Sequence, residues 1–200
     1  MDWLEFEKAA TAKGYKSICG VDEAGRGPLA GPVCAAAVIL PEGLILDEVN
    51  DSKKLSEKKR EKLFDVVRES AIAYNIAFAT VEEIEEINIL NATMLAMKRA
   101  VEGLVVPADF AYIDGNRTPD LDIPSEYIIK GDARSMSVAA ASILAKVARD
   151  RLMLEYVEEY PQYCFEKHKG YGTKLHTEKI REFGPCPIHR MSFLTKILGK

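Results

Sequence analysis

Three short apolar stretches, each with acidic residues at its end, constrain the fold of this chain most strongly. The stretches are Lys16 to Val21, Phe110 to Asp114 and Glu126 to Lys130, and the acids are Asp22, Glu23, Asp114 and Asp132. Short apolar runs bounded by turn residues are typical of buried β-strands. The sequence therefore predicts a sheet that carries four carboxylates at its strand ends.

The segments around these strands predict the fold class. Two further strands are indicated at Val33 to Leu40 and Tyr74 to Val81, and apolar residues at three- and four-residue steps indicate helices. The predicted helices are Ser56 to Ala73, Ile84 to Leu104, Ser135 to about Tyr160 and Lys174 to Phe183. This order predicts an α/β fold with a mixed central sheet flanked by helices and a C-terminal helical extension.

Chain length and charge predict one domain at residues 1–160 and a basic C-terminal extension, residues 161–200, packed on the same domain. The formal net charge of the 200 residues is −4, yet residues 161–200 hold eight Lys and Arg against three Asp and Glu. This asymmetry indicates a polyanion at one end of the protein and cations at the other. The sequence shows neither a membrane-spanning apolar run nor a signal peptide, so we expect a soluble, cytoplasmic protein, and nothing calls for more than a monomer.

The gathered carboxylates predict bound cations, because like charges at adjacent strand ends repel one another. Oxygen ligands without an attendant His or Cys cluster favour Mg²⁺ or Mn²⁺ and suit phosphoryl transfer. Asp22 and Glu23 would point to opposite sides of an ideal strand, so we expect the chain to turn there, with Gly25 and Gly27 permitting the turn. The alternative, that these acids only cap turns in water, stays open on this evidence. Asp150 is expected to be a salt-bridged structural acid within its helix.

The segment Gly25 to Ala30 matches the G-x-G-x-x-G/A dinucleotide fingerprint in its letters. A strand follows it where the fingerprint requires a helix, so we expect a loop whose bare backbone admits a ligand, with Arg26 nearby. An enzyme that binds a nucleotide cofactor remains an alternative class, which tight binding of NAD would favour.

Basic and aromatic residues outside this loop indicate nucleic-acid contacts. Lys53 and Lys54 precede a helix and could reach a phosphate backbone, and Tyr171 between two glycines could stack on a sugar or base. Tyr171 could equally pack its own loop.

The cysteines indicate a second alternative. Cys19 and Cys34 are expected to be reduced core thiols. Cys164 and Cys186 share a segment with His168, His176 and His189, so a catalytically silent nucleic-acid module with a zinc-stabilised tail stays open, although no C-x-x-C pair is present.

Seven blocks in order resemble bacterial ribonuclease HII, the type 2 ribonuclease H family. The blocks are GVDEAGRGPLAGPV at 20–33, NDSKKLSEKKR at 50–60, LNATMLAMKRAV at 90–101, YIDGNR at 112–117, KGDARSMSVAAASILAKVARD at 130–150, HKGYGT at 168–173 and HRMSF at 189–193. So many blocks are far more specific than one motif, and they extend over almost the whole chain.

This resemblance implies a ribonuclease H-like fold, with residues 1–160 as the catalytic domain. It implies an endonuclease that hydrolyses the RNA strand of RNA–DNA hybrids and nicks 5′ to ribonucleotides embedded in duplex DNA, leaving 3′-hydroxyl and 5′-phosphate ends. It also implies two divalent ions with substrate bound, held by Asp22, Glu23, Asp114 and Asp132. The Gly25-Arg26-Gly27 loop would sense the 2′-hydroxyl and the RNA-to-DNA junction together with Tyr171. The tail SFLTKILGK shows no sliding-clamp motif.

Overall fold

A mixed five-stranded sheet forms the centre of the protein in a computed structural model that describes residues 2–49 and 55–199. The strands are β1 (Ile18–Ala24), β2 (Val33–Ile39), β3 (Ala73–Ala79), β4 (Phe110–Asp114) and β5 (Ser125–Ile128). Their order is β3-β2-β1-β4-β5. Strand β2 is antiparallel to its neighbours β1 and β3, whereas β4 is parallel to its neighbours β1 and β5. The predicted α/β class with a mixed central sheet is confirmed.

Helices lie on both faces of this sheet, and four of them begin at polar caps. The helices are α1 (Glu5–Ala12), α2 (Glu57–Ser70), α3 (Val81–Glu102), α4 (Met136–Glu159), α5 (Phe165–His168), α6 (Lys174–Phe183) and α7 (Thr195–Leu198). Side-chain oxygens of Ser56, Thr80, Ser135 and Thr173 accept backbone N–H groups at the starts of α2, α3, α4 and α6, which explains where these helices begin. No helix within residues 2–49 and 55–199 is long and apolar enough to cross a membrane.

Helix α4 packs against the backbone of β1. A Cβ atom at Gly20 would lie 2.2 Å from the backbone carbonyl carbon of Ser137, so glycine is required for this approach. Buried alanines on α4, among them Ala139 and Ala140, keep the helix close to β1 and β2. The opposite face of the sheet is covered by α3.

Several elements differ from the sequence-based predictions; α2, for example, ends at Ser70 instead of Ala73. Helix α1 was not predicted, because within its eight residues only Ala10 is fully buried and the apolar pattern is correspondingly short. Helix α3 begins three residues before the predicted Ile84 and is kinked at Asn88, whose φ of 66° is left-handed. The Asn88 side chain accepts the N–H groups of Leu90 and Asn91 and so begins a new helical segment there. Strand β1 continues to Ala24 instead of ending at Val21.

Residues 161–199 are joined to the loop between β1 and β2 by backbone hydrogen bonds. The N–H of Leu29 donates to the Gly170 carbonyl, that of Gly31 to Ile188, and that of Arg190 to Leu29, each at 2.8 Å. These bonds are the contacts expected of an extension packed on the same domain. The boundary at residue 160 itself stays a prediction.

Three buried histidines and Cys186 form a hydrogen-bonded cluster in this extension. The Cys186 N–H donates to His189 Nδ1 (3.0 Å), so His189 Nε2–H donates to His176 Nε2 (3.0 Å) and His176 Nδ1–H donates to the Tyr171 carbonyl (3.0 Å). His168 likewise accepts from Gly170 and lies 2.9 Å from the Tyr163 carbonyl. These hydrogen bonds involve both ring nitrogens of all three histidines, so the cluster has no free imidazole nitrogen for a metal and the zinc alternative is not supported.

The cluster predicts that acid destabilises the protein. Burial lowers the pKa of both His176 and His189 to about 4, and the neighbouring His168 lowers both further. As the pH falls below about 6.5, these histidines bind protons in the unfolded chain but stay neutral in the folded protein until about pH 4. The free energy of unfolding should therefore fall over this range, by about 1.4 kcal/mol per pH unit for each histidine that is protonated only in the unfolded chain. Urea unfolding at several pH values measures this slope. His176→Asn should flatten it, and equal slopes in both proteins would contradict the prediction.

Candidate active site

The parallel pairing of β1 with β4 brings two of the predicted carboxylates together. Val21 pairs with Ile113, so the residues that follow, Asp22 and Asp114, lie side by side at the same end of the sheet. A short 3₁₀ turn, Gly131–Ala133, carries Asp132 to this place, and the Gly131 N–H donates to Asp114 Oδ1 at 2.6 Å. The fold therefore assembles acids from three separate segments of the chain.

The pKa of Asp22 is strongly perturbed. Its side chain is buried, and burial raises its pKa well above the ordinary value. The charges of Glu23, Asp114 and Asp132 raise the pKa further, whereas the Glu23 N–H, which donates to Asp22 Oδ1 at 2.7 Å, lowers it. All four predicted carboxylates thus share one electrostatic environment.

The chemistry of this donor set fits a hard divalent cation. Carboxylate oxygens are the ligands that Mg²⁺ and Mn²⁺ prefer, and a bound cation would reverse the repulsion that raises the pKa of Asp22. Within residues 2–49 and 55–199 the side chains are not already drawn into a group of three or more metal ligands.

The expected turn at Asp22 and Glu23 is wrong in its position. Both residues lie within β1, where Asp22 pairs with Ala36 and Glu23 with Ala35, so their side chains leave opposite faces of the sheet. The chain turns after Ala24, at Gly25, whose φ is +96°. Glu23 instead faces Arg26, with Oε1 and Nη1 3.6 Å apart.

The loop that follows β1 has the form expected of a bare-backbone loop. It leads into strand β2, and residues 25–32 contain no helix, so the dinucleotide fingerprint is not formed. A Cβ at Gly25 would lie 2.0 Å from Arg149 Nε, whereas a Cβ at Gly27 would meet no atom within 4 Å. Gly25 is thus enclosed by protein, and Gly27 borders open space.

Tyr171 lies beside this loop, as the Leu29–Gly170 backbone bond requires. Its ring is 40% exposed and lies 5.5 Å from Lys146 Nζ and 5.7 Å from the Arg149 guanidinium carbon. An exposed aromatic ring with two cations beside it is suited to stacking near a phosphate backbone.

The remaining residues singled out in the sequence are two lysines, one acid in α4 and two cysteines. Lys53 and Lys54 lie outside the described residues. Asp150 pairs with Lys146 (2.7 Å) and with Arg60 (3.9 Å), which confirms a structural acid. Cys19 and Cys34 are buried free thiols in β1 and β2, also as expected.

Two fully buried arginines were missed by the sequence analysis. Arg149 donates to the carbonyls of Pro32 (3.0 Å), Ala30 (2.9 Å) and Lys169 (3.0 Å), and so joins the glycine-rich loop to the Tyr171 loop. Arg190 makes three similar bonds nearby. Their partners are backbone carbonyls, which leave no signature in a sequence.

Comparison with known sequences identifies one family. The family model described as Ribonuclease HII matches residues 19–196. A protein named Ribonuclease HII from Caldicellulosiruptor saccharolyticus is 55% identical over 197 residues, covering 98% of this chain and 96% of that protein.

Solved structures show the same fold. The crystal structure of ribonuclease H2 from Pyrococcus horikoshii OT3 superposes with a TM-score of 0.75 at 28% identity, covering 91% of this chain and 97% of that one. The crystal structure of Bst-RNase HIII in complex with Mn²⁺ gives a TM-score of 0.73 at 19% identity, covering 92% of this chain and 69% of that one. The predicted ribonuclease H-like fold is confirmed.

The surroundings of Gly25 and Gly27 predict that substitution by alanine costs much more stability at the first position than at the second. Gly25→Ala should reduce the free energy of unfolding by about 2–4 kcal/mol, because the new methyl group overlaps Arg149 and the backbone is left-handed. Gly27→Ala should change it by less than about 1 kcal/mol. Chemical denaturation of both variants measures the difference, and equal losses would show that Gly27 is enclosed as Gly25 is.

Proposed function

This chain belongs to the ribonuclease HII family, and on that premise we propose that it nicks the phosphodiester bond 5′ to ribonucleotides embedded in duplex DNA. As a member of this family it is an endonuclease that degrades the RNA of RNA–DNA hybrids. The products of cleavage are 3′-hydroxyl and 5′-phosphate ends. The observation that carries the proposal is the gathering of Asp22, Asp114 and Asp132 at one end of the sheet, with Glu23 near enough to raise the pKa of Asp22, beside a glycine loop that borders open space.

In this proposal the four carboxylates hold two divalent ions, Mg²⁺ or Mn²⁺, when substrate is bound. Such ions supply Lewis-acid chemistry, activating water and stabilising charge on the leaving oxygen. Asp22 is buried and takes its place from β1, and Asp114 is oriented by the Gly131 N–H. The protein thus fixes the direction of these two carboxylates before substrate arrives.

The Gly25-Arg26-Gly27 loop is proposed to recognise the ribose. A 2′-hydroxyl both donates and accepts hydrogen bonds and is the group that distinguishes RNA from DNA at one nucleotide. Because Gly27 has no side chain and borders open space, the sugar can approach its backbone closely. Tyr171 is proposed to stack on the next sugar, where a deoxyribose lacks the additional oxygen.

The remaining contacts of the substrate are electrostatic. Residues 161–200 carry a net positive charge, and with Arg26, Lys53 and Lys54 they are proposed to face the duplex backbone. We propose that the protein acts in the cytoplasm. We propose a monomer that works without a sliding-clamp motif.

A single assay tests the proposed function. A labelled DNA duplex with one ribonucleotide is incubated with Mg²⁺, Mn²⁺ or EDTA, and the position and end groups of the product are determined. We expect one cut 5′ to the ribonucleotide in either metal and none in EDTA. Absence of cutting in both metals would refute the proposal, as would cutting that persists in EDTA.

The role of Asp114 predicts a folded but nearly inactive variant. Asp114→Asn retains an oxygen that can accept the Gly131 N–H, and it removes one charge from the group around Asp22. Cleavage should fall by about 100-fold or more, while stability in EDTA is retained or increased. Single-turnover rates and thermal unfolding measure the two effects, and a variant that cuts at the wild-type rate would remove Asp114 from the mechanism.

The role of the loop predicts that Gly27→Ala reduces cleavage far more than stability. The added methyl group lies where the sugar should approach, so cleavage should fall by about 10-fold or more. Gly43→Ala is the control for a methyl group added in open space outside the proposed site; because the φ of Gly43 is +75°, this variant should be the less stable of the two, and cleavage is compared per folded protein. If Gly27→Ala and Gly43→Ala cut equally well, the loop is only a structural turn.

A further inference from the structure

The Arg190 guanidinium holds the loop that contains Gly25 and Gly27. It donates from Nη2 to the Gly25 carbonyl (2.6 Å), from Nη1 to the Arg26 carbonyl (2.9 Å) and from Nε to the Gly31 carbonyl (2.9 Å). The side chain is completely buried. One residue therefore fixes three carbonyl groups of the segment between β1 and β2.

Burying the Arg190 guanidinium costs folding free energy, so we expect its hydrogen-bond geometry to have a role in the protein. In the described part of the chain Arg190 forms no ion pair with a carboxylate, and burial lowers its pKa to about 9, so it stays cationic near neutral pH. Only arginine presents donors in a planar fork that can reach three carbonyls at once. Lysine could retain the charge but not this arrangement.

The bonds to two consecutive carbonyls determine where the neighbouring N–H groups point. In a trans peptide the C=O and the following N–H lie in one plane and point in opposite directions. When Arg190 binds the carbonyls of Gly25 and Arg26, the N–H groups of Arg26 and Gly27 are turned away from it. Neither N–H has a hydrogen-bond acceptor within residues 2–49 and 55–199, and Gly27 borders open space.

The segment that carries Arg190 also contacts the Tyr171 loop. Ile188 and Arg190 pair with Gly31 and Leu29 through their backbones. His189, between them, reaches the Tyr171 carbonyl through His176. The segment from Ile188 to Arg190 thus holds both the glycine loop and the loop that contains Tyr171.

We propose that Arg190 is a positioning residue that directs the N–H groups of Arg26 and Gly27 towards the substrate and so sets the accuracy with which the ribonucleotide is located. This inference rests on the proposed function and adds to it a residue that does not touch the substrate. Loss of Arg190 leaves the carboxylates and the basic surface in place but lets the two N–H groups turn.

The test compares the wild-type protein with Arg190→Lys and Arg190→Met on a DNA duplex that contains four consecutive ribonucleotides. Single-turnover rate, duplex dissociation constant in EDTA and the distribution of cut positions are measured. Both variants should cut about 10- to 100-fold more slowly, with a dissociation constant within about threefold of wild type. Their cuts should spread over neighbouring positions, less so for Arg190→Lys. Arg151→Met is the matched control, because it removes an exposed arginine that contacts Glu61 instead of the loop.

The distribution of cut positions does not depend on how much of a variant is folded, so it separates positioning from stability. A wild-type distribution, with a rate loss that follows the folded fraction, would overturn the proposal. Failure of both variants to fold would also overturn it, because Arg190 would then belong to the general scaffold.

Amide ¹H–¹⁵N spectra without substrate test the geometry independently of the proposed function. The signals of Arg26 and Gly27 should move in Arg190→Lys, and unchanged signals would overturn the proposal. If the wild-type protein does not cut, the proposed function is refuted. If the Arg26 and Gly27 signals nevertheless differ between the wild-type protein and Arg190→Lys, the loop-positioning role of Arg190 is still supported.

Discussion

The parallel pairing of β1 with β4 is the constraint on which the candidate active site depends. It places Asp22 beside Asp114, and the turn before α4 adds Asp132. Helix α4 covers the paired strands closely, which Gly20 and the alanines of the helix allow. The result is a buried carboxylate among other negative charges, and burial first and those charges second raise the pKa of Asp22.

The overall charge of the chain has a local explanation. Of its thirty-one acidic residues four belong to the proposed site, and the other twenty-seven equal the number of Lys and Arg. The net charge of −4 therefore equals the charge of the site, and it does not argue against a nucleic-acid partner. The basic residues of the C-terminal extension lie on a different part of the chain from these acids.

Much of the fold and of the site could be predicted because the signals are local. The apolar strands that carry Asp22 and Asp114, and a strand after the glycine loop, are visible in the sequence and are confirmed in the fold. Arg149, Arg190 and the histidine chain were not predicted, because their partners are backbone carbonyls or rings that only the folded chain brings near. The continuation of β1 to Ala24 was missed because acidic residues are typical of turns, whereas here pairing with β2 retains them in the strand.

Strand β1 continues from Asp22 to Ala24, directly before the glycine loop, and this continuity fixes a distance within the proposed site. On the proposed assignment, the carboxylate of Asp22 and the N–H groups of Arg26 and Gly27 are four and five residues apart on one chain segment, which includes the end of β1 and the turn at Gly25. No domain boundary lies between them. The offset between the recognised sugar and the bond that is cut is therefore set by covalent geometry over a few residues, and not by the relative placement of two parts of the protein.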